Sequence, residues 1–379
     1  MIARFAVVLI AAAIIATILT AFRDPGARDT VATDHLEVRV VASRIVGPGG
    51  EPIVLRGVNR MGFEYSCVQG KGLLDAPLDQ ASVDAITAWG ANAVRLPLNE
   101  HCWLGIAGSP SGADYQNGVV DYVHRLVSSG LYVVLDLHWS APGAGMATEQ
   151  QAMPNTDHSA EFWASVARRF RDEGRVIFDL FNEPVPNSNQ RDTSDDAARR
   201  SWQCWRDGAA GGSCDVLQLH GMRGDKVAGM QSLVDAVRAT GATNLILVAG
   251  IQWGNTLWSS AARNWLAYAP VDPLRNIAAS WHAYDRTWCS AVPCYESEVA
   301  MVAARVPVVA TEFGDDTCDA TWRGTLLDWL ERKQIGYLAW VWNTWTADDC
   351  SAKRLITDYD GRPSTYGQFY RDWLRRISQ

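Results

Sequence analysis

The sequence lacks several motifs that would indicate a particular chemistry. It contains no Gly-x-Ser-x-Gly segment, so acyl transfer by a serine nucleophile is unsupported. None of its eight cysteines belongs to a Cys-x-x-Cys pair, which argues against a zinc site. No glycine-rich phosphate loop follows the first predicted strand, and no low-complexity linker divides the chain. The sequence therefore predicts a single folded domain that needs no cofactor and no metal.

The chain carries a moderate excess of acidic side chains. Its 42 Asp and Glu against 34 Lys and Arg give a formal net charge of -8, which argues against nucleic acid as a partner. Apolar residues make up 48% of the sequence, ample for a full core. The 17 tryptophans are more than a core usually needs. We expect some of them on loops where they could stack on sugar faces, although half or more could be plain core.

The N-terminal segment is apolar. Residues 5–22 form an almost unbroken apolar run after Arg4, so residues 1–22 are predicted to be a signal peptide or a signal anchor. Residues 23–35 would be a short tether, and the domain would occupy residues 36–379. Eight cysteines agree with export. We expect a secreted or cell-surface protein, anchored in the membrane if the segment is uncleaved; cleavage itself stays open.

Helical patterns and short apolar runs alternate along the rest of the chain, which predicts parallel strands. Eight such units favour a (β/α)8 TIM barrel with an N-terminal β-hairpin and long loops on its C-terminal face; a doubly wound sheet is the alternative. The longest interruption is the polar segment 185–222. The hairpin is predicted at 38–46 and 52–55, and the first strand ends near Asn59. The other strands are predicted at 91–96, 131–137, 176–181, 244–249, 277–281, 306–311 and 335–342. Helices are predicted at 79–89, 113–129, 159–171, 224–239, 261–267, 295–304, 320–333 and 364–377.

Cysteine spacing and the barrel together suggest four disulfides. Local spacing favours Cys204–Cys214 and Cys289–Cys294. In a barrel, Cys67 and Cys102 would lie on adjacent loops, as would Cys318 and Cys350. Eight cysteines allow 105 pairings, and these four pairs are our prediction.

Polar side chains come where the predicted strands end. Because the C-terminal ends of barrel strands meet at one mouth, these side chains would converge there. Two of them are glutamates that close the runs Phe178-Asp179-Leu180-Phe181-Asn182-Glu183 and Val308-Val309-Ala310-Thr311-Glu312. A carboxylate pair of this kind suits acid/base and nucleophile chemistry. The converging residues are Arg95, His138, Asn182, Glu183, His282, Tyr284, Glu312, Trp340 and Trp342.

Each of these residues has an ordinary explanation on its own. Arg95 could form a structural ion pair, His138 and His282 could be core histidines, and Glu183 before a proline could be a turn residue. Together they need a common reason, because unpaired polar groups at buried strand ends cost free energy. The two histidines could also hold a metal with the carboxylates, but an arginine in the same ring would repel a cation.

These motifs resemble glycoside hydrolase family 5, the cellulase-like family of the retaining (β/α)8 clan. The resemblance covers about residues 50–375. Its strongest parts are Asn-Glu-Pro at 182–184 and Glu-Phe-Gly at 312–314. The others are Arg-Gly-Val-Asn at 56–59, Val-Arg-Leu-Pro at 94–97, Leu-Asp-Leu-His at 135–138, Trp-His-Ala-Tyr at 281–284 and Ala-Trp-Val-Trp at 339–342.

The resemblance implies roles for the site residues. Glu183 would be the general acid/base and Glu312 the nucleophile that forms a glycosyl-enzyme intermediate. Arg95 and Tyr284 would hold Glu312 ionised and aimed. Asn182 and His138 would contact the sugar at the scissile bond, and His282 would lie beside Glu183. Trp340 would be the sugar platform, with Trp342 as its rival.

The resemblance favours an endo-β-1,4-glucanase that acts as a monomer on an oligo- or polysaccharide. A β-mannanase, an exo-glucanase or β-glucosidase, a transglycosylase and a glycolipid-directed glycosidase fit the same residues. A non-catalytic carbohydrate-binding protein and a structural surface protein are alternatives of a different class. The complete catalytic set argues against the first of these, and the tryptophans at the strand ends argue against the second.

Overall fold

Eight parallel strands close into a barrel in the computed structural model of the chain. The structure describes residues 38–109, 112–189, 194–212, 214–217, 222–344 and 348–378. The predicted (β/α)8 fold is confirmed, and consecutive barrel strands are neighbours all the way round. The barrel strands are β3 (Arg56–Asn59), β4 (Ala93–Asn99), β5 (Tyr132–Trp139), β6 (Val176–Asp179), β7 (Ile246–Ala249), β10 (Ile277–Tyr284), β11 (Val308–Gly314) and β12 (Gly336–Ala339).

Helices surround the barrel, and two small hairpins flank it. The hairpins are β1 (Arg39–Val41) with β2 (Arg44–Val46), and β8 (Trp258–Ser260) with β9 (Arg263–Asn264). The α-helices are α1 (Gln80–Thr87), α2 (Glu100–Leu104), α3 (Gly112–Ser128), α4 (Ser159–Phe170), α5 (Asp195–Asp207), α6 (Met230–Arg238), α7 (Trp265–Tyr268), α8 (Val292–Cys294), α9 (Ala300–Ala303), α10 (Thr321–Lys333) and α11 (Thr365–Ile377). Single 3-10 turns span Ala209–Gly211 and Gly224–Lys226, and a π-helical turn spans Tyr295–Val299.

Local sequence explains where the helices begin and which face they bury. Asp79 caps α1 by accepting a hydrogen bond from the Ser82 backbone N–H at 3.0 Å, and Ser364 caps α11 in the same way. In α4 the buried residues recur at helical spacing, so one face packs on the barrel. These buried residues are Ser159, Phe162, Trp163, Val166, Ala167 and Phe170.

The barrel interior is a packed core. Its lower layer is apolar and takes about one side chain from each strand, as in other eight-stranded barrels. Val38 and Ile45 of the N-terminal hairpin join this cluster, so the hairpin closes the barrel end opposite the site. Strands β3 and β4 approach closely at Gly57, where a Cβ would lie 1.7 Å from the Ala93 carbonyl oxygen. Only glycine fits there.

Three predicted elements differ from the observed ones. The hairpin predicted at 38–46 and 52–55 is formed instead by β1 and β2, which both lie within 38–46, and Pro52 makes only an isolated bridge to Val46. The segment 261–267, predicted as a helix, forms the end of the β8–β9 hairpin and most of the short helix α7. Asn264 caps α7, which therefore begins only at Trp265. The polar interruption 185–222 contains helix α5, which buries Trp202 and Trp205 completely. Most residues of this helix are polar and only one narrow face is apolar, so the sequence pattern did not indicate a helix.

The predicted segments 1–22 and 23–35 lie outside the described residues. In the part of the chain that the structure describes, no helix is long and apolar enough to cross a bilayer.

Candidate active site

The two predicted carboxylates lie close together at the C-terminal mouth of the barrel. Glu183 follows β6, and Glu312 lies within β11. The Nδ1 atom of His282, on β10, is 2.9 Å from Glu183 Oε1 and 3.6 Å from Glu312 Oε2. One oxygen of each glutamate and this nitrogen all lie within 4.8 Å of one another. The fold thus brings together the three side chains on which acid/base and nucleophile chemistry would depend.

Arg95 organises the floor of this site. It is fully buried on β4, and its Nη1 donates to Glu312 Oε1 at 2.8 Å. Nη2 donates to Asn182 Oδ1 at 2.8 Å, and Nη1 also donates to Asn59 Oδ1 at 3.0 Å. One guanidinium therefore fixes the nucleophile candidate and the neighbour of the acid candidate at the same time.

Two further carboxylates contact Arg95, and neither was among the site residues predicted from the sequence. Asp136 Oδ2 lies 3.0 Å from Nη2, and Asp179 Oδ2 lies 3.0 Å from Nε. Burial raises the pKa of Asp136 to about 7 and that of Asp179 to about 8, although the charge of Arg95 opposes both shifts. A sequence signal was present, because each aspartate interrupts an otherwise apolar strand.

Glu183 has the environment of an acid. Burial raises the pKa of its carboxyl, and a hydrogen bond from Gln150 opposes the rise. Gln150 Nε2 donates to Glu183 Oε2 at 3.2 Å, and Gln150 Oε1 accepts from Asn182 Nδ2 at 2.8 Å. Desolvation thus outweighs this hydrogen bond and favours the protonated carboxyl.

The tyrosine and both histidines are held in defined protonation states. Tyr284 OH donates to Glu312 Oε2 at 2.6 Å, and burial raises its pKa well above the usual value. Burial lowers the pKa of His138 to about 4 and that of His282 to about 3, so both rings are neutral near pH 7. Each ring already uses Nδ1 in a contact with a carboxylate, Asp136 for His138 and Glu183 for His282, so each has only Nε2 left for another partner.

Of the two candidate platform tryptophans, the structure places one at the mouth. Trp340 is partly exposed and stacks on His138, with ring centroids 5.7 Å apart and planes 9° apart. Trp342 is fully buried, and its ring meets Trp89 edge-on at 4.8 Å. The expectation that Trp342 lines the mouth is wrong. Strand β12 ends at Ala339, so strand alternation does not place Trp340 and Trp342 on the same face.

Aromatic side chains continue away from the carboxylates in two directions. The strand order puts β3 and β4 across the barrel from β7 and β10. Tyr65, after β3, and Trp139, at the end of β5, lie near Trp340 on one side. On the opposite side, Trp253 and Trp258 follow β7 and line an open groove of about 590 Å³. Aromatic side chains therefore lie on two opposite sides of the barrel mouth.

The loop after β7 is strained where it passes the acid candidate. Gln252 and Trp253 have φ angles of 55° and 62°, and the Trp253 N–H donates to the Pro184 carbonyl at 3.3 Å. A Cβ on Gly254 would lie 3.0 Å from the His282 ring, so glycine lets this loop pack on the histidine. The backbone of this loop therefore adopts an unfavourable conformation that packs it against the site.

The eight cysteines form the four predicted pairs. The Cα–Cα distances are 6.4 Å for Cys67–Cys102, 5.3 Å for Cys204–Cys214, 5.4 Å for Cys289–Cys294 and 5.1 Å for Cys318–Cys350, within the usual disulfide range. Three of these bridges link residues of the loops that follow β3, β4, β10, β11 and β12 at the C-terminal face of the barrel.

Possible metal donors occur in two clusters among the described residues. Cys289, Cys294 and Glu298 form the first, but its sulfurs are bonded to each other and offer no thiolate. The second is Glu183, His282 and Glu312 themselves. The Arg95 guanidinium lies 2.8 Å from Glu312, so a cation there would meet a fixed positive charge. Neither donor set fits a metal well.

The sequence matches the cellulase family, glycosyl hydrolase family 5, over residues 49–345. The chain belongs to this family. The predicted family resemblance is confirmed.

Several relatives of the family are named for the glycans they act on. Endoglucanase 1 of Robillarda sp. (strain Y-20) is 30% identical over 59% of this chain and 52% of that protein. Endoglucanase MaCel5A of Microbulbifer sp. (strain ALW1) is 23% identical over 86% of this chain and 56% of that protein. The chain thus spans about half the length of these curated relatives.

Solved family 5 structures share the fold. The β-glucanase SdGluc5_26A from Saccharophagus degradans matches with a TM-score of 0.64 and 20% identity over 90% of this chain and 94% of that one. The catalytic domain of a mannanase from Streptomyces sp. SirexAA-E matches with a TM-score of 0.62 and 22% identity over 91% and 92%.

Proposed function

We propose that the chain is a retaining β-glycoside hydrolase in which Glu312 is the nucleophile and Glu183 the acid/base. The observation that carries the proposal is the short distance between the two carboxylates, with oxygens within 4.8 Å. Retaining enzymes hold the two carboxyl groups about 5–5.5 Å apart, whereas inverting enzymes need about 6.5–9.5 Å to admit a water molecule. The opposite environments of the two glutamates support the same assignment of roles.

In the first step, Glu312 attacks the anomeric carbon as the glycosidic bond breaks. Arg95 and the Tyr284 hydroxyl each donate a hydrogen bond to its carboxylate, which aims it at the anomeric carbon. Glu183 gives its proton to the departing oxygen, and its raised pKa keeps that proton available. The products are a glycosyl ester on Glu312 and a free sugar from the leaving-group side.

In the second step, a water molecule replaces the departed sugar. Glu183, now ionised, takes a proton from this water while the oxygen attacks the anomeric carbon, and the ester bond to Glu312 breaks. Both starting protonation states are restored. Two displacements at the same carbon leave the product with the β-configuration of the substrate.

The substrate that we propose is a β-1,4-glucan cleaved within the chain. Two observations support it: an open groove of about 590 Å³ beside the site, lined by Trp253 and Trp258, and curated relatives named as endoglucanases. β-Mannan is the second candidate, because a mannanase catalytic domain has the same fold over 91% of this chain. The residues that contact the catalytic carboxylates do not distinguish the two sugars.

Two measurements test the proposal. Reducing-sugar release from soluble β-glucan, β-mannan and cello-oligosaccharides identifies the substrate, and we expect the glucan to be cleaved fastest. Proton NMR of the first product formed identifies the stereochemistry, and we expect the β-anomer before mutarotation. An initial α-anomer would contradict the roles given to the two glutamates.

We further propose that the protein works outside the reducing cytosol. Four disulfides support this proposal, since such bonds persist in oxidising compartments. Secretion, membrane anchoring and a monomeric state stay predictions. Fractionation of cells that express the full chain would locate it, and light scattering would give its mass.

A further inference from the structure

Three arginine side chains are completely buried in the described part of the chain, and they differ in their partners. Arg95 contacts three carboxylates, and Arg323 Nε lies 3.3 Å from Asp315 Oδ1. Arg60, directly after β3, is also 0% exposed, but no carboxylate of the described residues forms an ion pair with it. A guanidinium remains charged, and a buried charge without a counter-charge is unfavourable. The side chains around Arg60 therefore do not supply the negative group that its burial requires.

Arg60 uses little of its capacity to donate hydrogen bonds. Nη1 donates to the neighbouring Met61 carbonyl at 2.7 Å. Nε and Nη2 are buried, and neither has an acceptor among the described residues. The guanidinium carbon lies 4.6 Å from the centre of the Tyr359 ring, which offsets part of the charge, but a ring face is only a weak acceptor. Nε and Nη2 therefore need a partner that accepts hydrogen bonds.

A second buried donor comes from the neighbouring strand end. Trp342 follows β12, which pairs with β3, and its backbone N–H donates to the carbonyl of the residue before Arg60 at 2.9 Å. The indole Nε1 of Trp342 is buried and has no acceptor among the described residues. Trp89 meets this ring edge-on at 4.8 Å and donates its own indole N–H to the Gly361 carbonyl, two residues after Tyr359. Arg60 and Trp342 thus lie beneath the same loop.

The loop over these donors, residues 357–362, is fixed by its own hydrogen bonds. The Thr357 N–H donates to the Arg362 carbonyl at 2.9 Å, and the Gly361 N–H donates to the Asp358 carbonyl at 3.2 Å. The carboxylate of Asp358 pairs with Arg362 at 3.3 Å and not with Arg60. The donors are therefore held in place before any partner binds, which reduces the entropy that binding costs.

The unmatched atoms favour an anion over water. Arg60 Nε, Arg60 Nη2 and Trp342 Nε1 are three nitrogen atoms that can only donate. A water molecule would also have to place its own two protons, whereas a halide ion accepts hydrogen bonds on every side and supplies the missing negative charge. Because Arg60 is fully buried, only a small ion fits beside it.

We propose that Arg60, together with the Trp342 indole, binds a small monovalent anion such as chloride beneath the loop 357–362. The proposal does not depend on the glycosidase function. The anion takes the place of the carboxylates that accompany the other two buried arginines, and it joins β3 to the segment that follows β12. An ion that binds the folded chain and not the unfolded one stabilises the fold, so the effect of chloride is on stability.

The test measures the melting temperature at constant ionic strength while chloride replaces gluconate, an anion too large for a buried site. We expect the Tm of the parent protein to rise by about 3–5 °C once chloride reaches about a hundredfold its Kd. Bromide should act like chloride. In Arg60→Met this rise should disappear, because methionine fills the space without a charge.

Two further variants sharpen the comparison. Trp342→Phe keeps a ring and removes the indole N–H, so it should need about fivefold more chloride for the same rise, the effect of one lost hydrogen bond. Arg223→Met is the control, since the Arg223 side chain is 74% exposed and pairs with Asp225. Its response to chloride should equal that of the parent protein.

Anomalous diffraction from a crystal grown in bromide gives an independent readout. We expect a bromide ion in contact with Arg60 Nε and Nη2, and only water at this place would overturn the proposal. A Tm of the parent protein that is the same in chloride and gluconate would also overturn it, as would an equal chloride response in Arg60→Met. If Arg60→Met does not fold, Trp342→Phe decides, and a response identical to that of the parent protein counts against the site.

Discussion

At the scale of single residues, the two glutamates differ in which protonation state their neighbours favour. Glu312 accepts hydrogen bonds from a guanidinium and from a phenol, both of which favour a carboxylate. Glu183 is close to neutral histidines and is desolvated, which favours a carboxylic acid. Exchanging the two roles would therefore require a charged acid and a neutral nucleophile.

Amide substitutions should separate these roles. Glu312→Gln should abolish turnover of every substrate, because no covalent intermediate can form. Glu183→Gln should lose about 10²–10⁴-fold on natural glycans but keep the first step with an activated aryl leaving group, which needs little protonation. Steady-state assays on both substrate types measure the difference.

Azide provides the control for this pair. Added azide should restore turnover in Glu183→Gln and yield a β-glycosyl azide, since this anion attacks the glycosyl ester on Glu312 without needing a base to remove a proton. A β-glycosyl azide from Glu312→Gln, or an α-glycosyl azide from Glu183→Gln, would show that the roles are exchanged, because azide that replaces a missing nucleophile inverts the β-glycoside. Circular dichroism should show both variants folded, because both side chains lie at the mouth of the barrel and outside its apolar lower layer.

Gln150 should lower the pKa of Glu183, the acid candidate. Its amide N–H donates to the Glu183 carboxyl and so favours the charged form, which lowers the pKa. In Gln150→Leu this effect disappears, and the pKa of Glu183 should rise. The alkaline limb of the kcat/KM profile, where the acid loses its proton, should then move to higher pH. If kcat/KM instead falls by the same factor at every pH, for example about fivefold for one lost hydrogen bond, Gln150 has only a structural role.

At the scale of elements, the loop between β3 and α1 contains a buried carboxyl that no catalytic step uses. Glu64 Oε2 accepts from the Gly62 N–H at 2.6 Å, and Asn99 Nδ2 donates to the Glu64 carbonyl at 2.7 Å. Burial raises the pKa of Glu64 to about 8, against a usual value of 4.5. The folded protein therefore keeps this proton across a pH range in which the unfolded chain releases it.

Glu64→Gln should stabilise the fold in a pH-dependent way. With the folded pKa raised, the contribution of Glu64 to stability is fully present below pH 4.5 and is lost as pH rises towards 8. Glutamine keeps the acceptor oxygen and cannot ionise. We expect the variant to match the parent near pH 4.5 and to be more stable by on the order of 2 kcal/mol at pH 7–8.

Urea unfolding at several pH values measures this gain. Glu51→Gln, at an exposed carboxyl on the N-terminal side of the barrel, is the control and should change little at any pH. A Glu64→Gln gain that is equal at pH 4.5 and pH 8 would contradict an uncharged Glu64 in the folded state.

Elements of the barrel could be predicted where the periodicity of apolar residues and the local composition indicated the same secondary structure. Strand β11 follows a proline as an apolar run and ends at a glycine, and α4 shows one clear buried face, so the ends of both were predicted to within about three residues. Helix α5 was missed because most of its residues are polar and its tryptophans are buried by tertiary packing. The β8–β9 hairpin was taken for a helix, because its short strands carry no period long enough to recognise.

Most residues of the candidate site could be predicted because the fold determines where the strand ends lie. Residues at strand ends converge in any closed barrel, so strand order alone brings Arg95, Glu183 and Glu312 together. Asp136 and Asp179 were missed because their partners come from neighbouring strands and their pKa values depend on burial. Trp342 was misplaced because the path of the chain after Ala339 depends on contacts distant in sequence, such as the Val341 N–H bond to the Lys353 carbonyl at 2.9 Å.

At the scale of the whole molecule, the disulfides have unequal effects on the unfolded chain. Cys67–Cys102 and Cys318–Cys350 join cysteines 35 and 32 residues apart, whereas Cys289 and Cys294 are only 5 apart. Loop-closure entropy grows with this separation, so the long bridges should stabilise the fold by about 4 kcal/mol and the shortest by about 2 kcal/mol. The bridges should therefore stabilise the fold unequally.

Paired alanine substitutions measure this difference. Removing Cys67 and Cys102 together should cost about twice as much unfolding free energy as removing Cys289 and Cys294, measured by urea unfolding. Equal stability costs would argue against an entropic origin, since strain or packing does not scale with loop length.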